Sequence, residues 1–205
     1  MQSLPALSAA AHLVALACGI RAGWRYPAWL LLMPLTALGA LTYDPNTISP
    51  LWYLILLARM AAALEAAYWF QRTLPVDSGR PLIWLAAFIL TLTVGVMLAL
   101  HNGPSAMSHY LLIRGVVHGS FGFVGVVALL AMWASNLSID RHALVVTLYL
   151  MTFAATQAAA TLIAHDKIHG NEKWAIMDAA SRLAHIAMLG WWCRWVTRPA
   201  RQRLA

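Results

Sequence analysis

The sequence predicts an all-α fold: a polytopic membrane helix bundle with seven transmembrane helices, its N-terminus outside and its C-terminus inside. Three observations predict it. Of the 205 residues, 61% are hydrophobic and only 10% are charged, whereas a soluble domain carries about 25% charged residues. The apolar residues gather into seven windows that approach the ~20 residues a spanning helix needs. Arginines fill alternate breaks between those windows, as the positive-inside rule requires. This composition excludes a soluble domain, a disordered chain and a nucleic-acid-binding module. The pI near 10.0 does not restore that last class, because the basic residues punctuate apolar runs instead of forming a patch.

The windows run Leu7–Ile20, Pro27–Tyr43, Leu51–Phe70, Pro81–Leu100, His109–Trp133, Ala143–Ala164 and Trp174–Val196. Turn chemistry separates them: Asp44-Pro45-Asn46, Asp77-Ser78-Gly79, Asn102-Gly103-Pro104 and His169-Gly170-Asn171. The first window is short, and no basic residue precedes it, so it does not read as an ordinary signal peptide. Six spans with a peripheral first segment is the alternative, and it leaves the sidedness of the rest unchanged. No repeat, linker or soluble domain interrupts the chain, so residues 1–205 read as a single transmembrane domain.

Loop charges give the orientation. Arg21 and Arg25 follow the first window, Arg72 and Arg80 the third, Arg141 the fifth, and Arg194, Arg198, Arg201 and Arg203 the seventh. On the other side only Lys167 and Lys173 occur, offset by Asp166 and Glu172. All ten tryptophans lie near span ends, where amphipathic rings favour the headgroup layer, so none is assigned to a site. Cys18 and Cys193 are far apart in apolar context and make neither a disulfide framework nor a zinc motif. These features point to a multi-pass protein of a bacterial-type inner (plasma) membrane whose main partner is the lipid bilayer.

Function must come from the polar residues that a bilayer makes expensive. Apart from Arg194 at the inner end of the last window, five charges fall within spans: Arg59, Glu65, Arg114, Asp178 and Arg182, with a sum of +1. Arg59 and Glu65 are six apart and share no helix face, so each must find its partner on another helix. Asp178, Arg182 and His185 are spaced i, i+4 and i+7, which sets them on one stripe. Asp178 and Arg182 read as a structural charge pair, from which His185 gains nothing. In the fifth span Arg114 and His118 repeat the arginine–histidine spacing. His101, His109, His165 and His169 lie at outer span ends, so six of the eight histidines gather toward one side.

Facing histidines can ligate haem iron while arginines pair with its propionates. His118, His185, Arg114 and Arg182 are the candidate cofactor-binding residues, for haem b. Copper is the second option, with His109, His165 and His169 as metal ligands and Met107 as a soft neighbour. His165 and His169 also read as two solvated loop histidines, since their spacing straddles a helix end. Ser105 with His109, and Ser181-Arg182 with His185, do not match lipid-phosphatase spacings, and no lysine lies within the last span for a retinal Schiff base. No catalytic residue is assigned.

Two families are similar in part. Gly115-Val116-Val117-His118-Gly119 with Ala184-His185 resembles the rhomboid-type sorting proteases. The nucleophile position falls on Arg114, which cannot act as a serine does, so that resemblance implies a non-catalytic relative. From Trp52 to Ala164 the chain resembles the later half of the NnrS family, carried by Pro81-Leu82-Ile83-Trp84 and by Ser105-Ala106-Met107-Ser108-His109. That resemblance implies a haem- and copper-containing membrane protein of the nitric oxide response, with His109 as a ligand. The chain is about half the usual size for that family and lacks its early His-x-His-Glu. The expectation is an inner-membrane haem- or copper-binding protein of respiratory or nitrosative-stress physiology, with its site on the periplasmic side. The alternatives are a non-catalytic interaction or assembly subunit with a membrane protein partner, or a proton-coupled carrier using Asp178 and the histidines.

Overall fold

Punctuation residues set the helix ends. The computed structural model describes residues 3–42, 49–72, 117–119, 121–122, 125–126, 129–130, 133, 140–163 and 172–198, without the side chains of 71, 157–163 and 172–175. Among them the regular elements are helices, with no strand. They are α1 (Ser3–Arg21), α2 (Pro27–Leu41), α3 (Pro50–Gln71), α4 (Arg141–Ile163) and α5 (Glu172–Val196). The described residues between 117 and 133 are helical too. The fourth window, Pro81–Leu100, lies outside the described residues.

Each boundary has a local cause. Pro27 and Pro50 open their helices at the one place where a missing N–H costs nothing. Ser49 Oγ accepts the Leu51 N–H at 3.3 Å, and Asp140 Oδ1 accepts the Ala143 N–H at 3.0 Å, so both act as N-caps. Thr42 and Thr197 close α2 and α5 by donating their hydroxyls to the carbonyls of Leu38 and Cys193. The α1–α2 turn is tight: Gly23 has φ +91° and Trp24 φ +57°. Glycine takes that conformation freely, and tryptophan takes it at a cost.

Among the described residues two helices are long and apolar enough to cross a bilayer, Ser3–Arg21 and Pro50–Phe70, and α2 is a shorter apolar helix. At 1.5 Å per residue, the 19 residues of α1 extend about 28 Å, close to the hydrocarbon thickness. The structure thus lengthens the short first window at its start, where Pro5 is tolerated in the first turn.

The chain divides into two compact units. Unit 1 comprises Met1–Ala62 and Asp178–Ala205, and unit 2 comprises Ala63–Met177. In unit 1, α1 turns its Ser8, His12, Ala15 and Gly19 inward, and α5 does the same with Ser181, His185, Leu189 and Trp192. Ile55, Arg59 and Ala62 form the matching stripe of α3. A Cβ on Gly19 would overlap Leu30 Cδ2 and stand 3.1 Å from Trp192 Cη2, so α1, α2 and α5 meet there. In unit 2, Gly122 and Gly125 let their helix approach Ala154 and Met151 of α4, at 2.9 and 2.5 Å from the added Cβ. Small residues at such contacts are the usual means of bringing helices close where apolar burial gives no direction.

Outward faces are apolar and inward faces hold much of the polarity. Leu7, Leu13, Val14, Leu54, Leu57 and Leu64 are exposed, while Ser8, His12, Arg59, His118, His142, Ser181 and His185 are buried. A soluble protein distributes these residue types the other way round.

The tryptophans depart from a simple headgroup belt. Trp24, Trp133 and Trp191 are exposed, but Trp29, Trp192 and Trp195 are buried. Trp192 meets Trp29 and Tyr26 edge-on at 6.0 and 6.2 Å, and Tyr26 lies 6.3 Å from Trp195. Their rings form an aromatic core at one end of unit 1.

Candidate functional site

The inner stripes of α1, α3 and α5 bring a polar centre together in unit 1. His12 is almost fully buried, and its Nδ1–H donates to the Ser8 carbonyl one turn back at 2.6 Å. A carbonyl can only accept, so this bond fixes the tautomer and places the ring's lone pair on Nε2. The guanidinium groups of Arg59 and Arg182 are both close enough to act electrostatically on that imidazole. Arg182 Nε donates to Asp178 Oδ2 at 2.7 Å, the local pair that the i, i+4 spacing predicts. His185 lies one turn further along α5 on its buried stripe.

Formal charge at this centre is two arginines less one aspartate, +1, before any histidine proton is counted. Asp178 is 44% exposed and Arg182 18%, so the carboxylate sits at the edge and the positive groups lie deeper. One imidazole within electrostatic reach of two guanidiniums, with His185 on the same buried stripe of α5 as Ser181 and Leu189, offers ligating nitrogens and carboxylate-binding forks.

The packing also settles a direction. Near their C-terminal ends, α1 and α5 touch through Gly19 and Trp192. Toward their N-terminal ends they approach through His12 and Arg182. Both sets of positions fall together along the chain, so α1 and α5 run parallel.

Unit 2 has its own buried polar residues. His118 is fully enclosed, with Phe153 at 5.6 Å and Phe121 at 6.3 Å between ring centroids. Tyr149 extends that cluster, 5.3 Å from Phe153. His142 Nε2 lies 3.7 Å from Glu65 Oε2, so Glu65 meets a residue of another helix, as its spacing from Arg59 demands.

Of the residues singled out by sequence, Asp178, Arg182 and His185 therefore share one stripe in unit 1, and His118 lies in unit 2. Arg114, His109, His165 and His169 lie outside the described residues. Among the described residues no group of three or more histidine, cysteine, aspartate or glutamate side chains is arranged to hold a metal ion. Sequence reasoning missed His12 as a member of the centre. Its signal was the Ser8-x-x-x-His12-x-x-Ala15-x-x-x-Gly19 spacing, which puts the histidine on the small-residue face of α1. Arg59 carried a weaker signal, a charge in mid-span six residues from Glu65, the other charge of that window.

No protein-family model matches the chain, and no curated protein or solved structure matches it.

Proposed function

We propose that the chain is a multi-pass protein of a bacterial-type inner membrane, crossing seven times, that binds haem b at the unit 1 polar centre. The membrane reading is supported by apolar outward faces over buried histidines and arginine. The parallel course of α1 and α5 supports an odd number of crossings, because the first and last of seven spans point the same way. The same packing supports a crossing α1 over a peripheral first segment, since its His12 and Gly19 belong to the interior of unit 1.

The observation that carries the haem reading is the fixed tautomer of His12 beside two guanidiniums. Imidazoles that ligate metals commonly donate their other N–H to a carbonyl, as His12 does to Ser8. His12 and His185 would then ligate the iron, and Arg59 and Arg182 would hold the propionates. Haem bound there would supply one-electron chemistry or bind a diatomic gas. The NnrS-like stretch directs that chemistry to respiratory or nitrosative-stress physiology. On the arginine-based sidedness, the centre opens toward the periplasm through Asp178. Copper at His109, His165 and His169 is the variant of this reading that metal analysis separates from haem.

Purification in detergent from cells supplied with haem and copper tests it. A Soret band and bound iron are expected, lost in His12→Ala and His185→Ala and weakened in Arg59→Leu. Loss of the band in His118→Ala alone would move the ligand to the fifth span. Neither a Soret band nor copper would end the reading.

A second reading has its own observation. The Asp178–Arg182 pair is partly open to the surface of α5, where it can meet a charged group of a membrane protein partner. In that case the chain is an assembly subunit, in line with the serine-less rhomboid resemblance. Arg182→Ala would then disrupt a complex without changing any absorption spectrum. A proton-coupled carrier using Asp178 and the histidines would instead lose transport in Asp178→Asn.

A further inference from the structure

Cys18 and Cys193 take no part in the polar centre, yet the fold brings them together. Both thiols are partly buried, and they lie close enough to act on each other across the α1–α5 contact. A second contact fixes the register at that point. Gly19, the next residue along α1, packs against Trp192, the residue before Cys193, with 3.1 Å from an added Cβ to Cη2. Two successive positions of one helix thus meet two successive positions of the other. The two contacts, at adjacent positions of each helix, place the thiols on facing sides of α1 and α5.

We propose that Cys18 and Cys193 are a redox-sensitive dithiol that closes into an intramolecular disulfide and joins the first helix to the last. The oxidant is a low-molecular-weight disulfide. One cysteine loses its proton and its thiolate attacks a sulfur of that disulfide, forming a mixed disulfide and releasing one small thiolate. The second cysteine then deprotonates and attacks the protein sulfur of the mixed disulfide, releasing the other small thiolate. Two protons pass to the two departing thiolates, so the protein loses two hydrogens and the oxidant is reduced to two thiols.

Position favours the reaction. α1 ends at Arg21 and α5 at Val196, so each cysteine lies in the last turn of its helix, within reach of a small oxidant from water. Arg21 and Arg194 flank the pair and mark the cytoplasmic side by the charge rule. Thiols there stay reduced in growing cells, and disulfides form transiently under thiol stress. The proposal is independent of haem, because neither thiol belongs to the polar centre.

The test uses the full-length protein in native membranes. Membranes are treated with 4,4′-dithiodipyridine, remaining thiols are blocked with N-ethylmaleimide, and the digest is read by mass spectrometry. A peptide containing Cys18 joined to one containing Cys193 should become the main species and separate again on reduction. Cys18→Ser and Cys193→Ser should each hold a stable mixed disulfide in its place. Two singly blocked or singly modified cysteines in the unsubstituted chain would overturn the proposal. So would a link between two copies.

Discussion

Gly19 of α1 lies against the tip of the Trp192 indole in α5, 3.1 Å from an added Cβ, which would also overlap Leu30 of α2. Gly19→Ala is therefore expected to cost about 1–3 kcal/mol by overpacking and to lower the melting temperature in detergent. Gly190→Ala is the control, because its added Cβ meets nothing within 4 Å. That variant should be neutral or more stable by up to about 1 kcal/mol, since alanine favours the helix. Equal losses at both positions would contradict the α1–α2–α5 junction.

In unit 2, the buried His142 and Glu65 make a different demand. His142→Ala removes an enclosed ring and leaves a cavity next to a carboxyl group. A loss of about 2–5 kcal/mol is expected, as for other large-to-small core changes. Glu65→Gln keeps the volume and an accepting oxygen, so it should cost less. Unfolding in detergent–denaturant mixtures measures both, and a reversed order would place the main support of this region on Glu65.

How much of this was legible from residues alone depends on the kind of signal. Helix ends were readable because capping is local: Pro27, Pro50 and Asp140 act on neighbours in the chain. The Asp178–Arg182–His185 stripe was readable because the helical period fixes it. His12 beside Arg59 and Arg182, and Cys18 beside Cys193, were not. Those meetings depend on which helices pack together, and a helix that is apolar all round carries little information on which face turns inward. The tryptophans show the same limit. Placing them at span ends was sound, but whether a ring faces lipid or an aromatic core is decided by tertiary packing, as the buried Trp29 and Trp192 show.

The Asp178–Arg182 bond is short but partly solvated, and its contribution to stability should be modest. A double-mutant cycle with Asp178→Asn and Arg182→Gln is expected to give a coupling of about 0.3–0.5 kcal/mol, the range of exposed i, i+4 helix pairs. Raised salt should shrink it further. Coupling several times larger would show that the pair is shielded from water in its working environment, as it would be against a partner protein.

Sidedness is the most exposed prediction, because both the proposed periplasmic site and the proposed cytoplasmic dithiol depend on it. In a background with Cys18→Ala and Cys193→Ala, single cysteines are introduced as Asn102→Cys, Gly170→Cys and Gly79→Cys. Positions 102 and 170 fall in breaks poor in arginine, and position 79 lies beside Arg80. An impermeant maleimide should label the first two in intact spheroplasts, and the third only after permeabilisation. The parallel course of α1 and α5 adds an independent constraint. Tags at the two helices' N-terminal ends, before Ser3 and after Gly170, must fall on the same side of the membrane. Opposite sides would mean that α1 does not cross as a first span beside α5. Labelling reversed throughout would turn the polar centre toward the cytoplasm, and a ligand arriving from outside could no longer be its target.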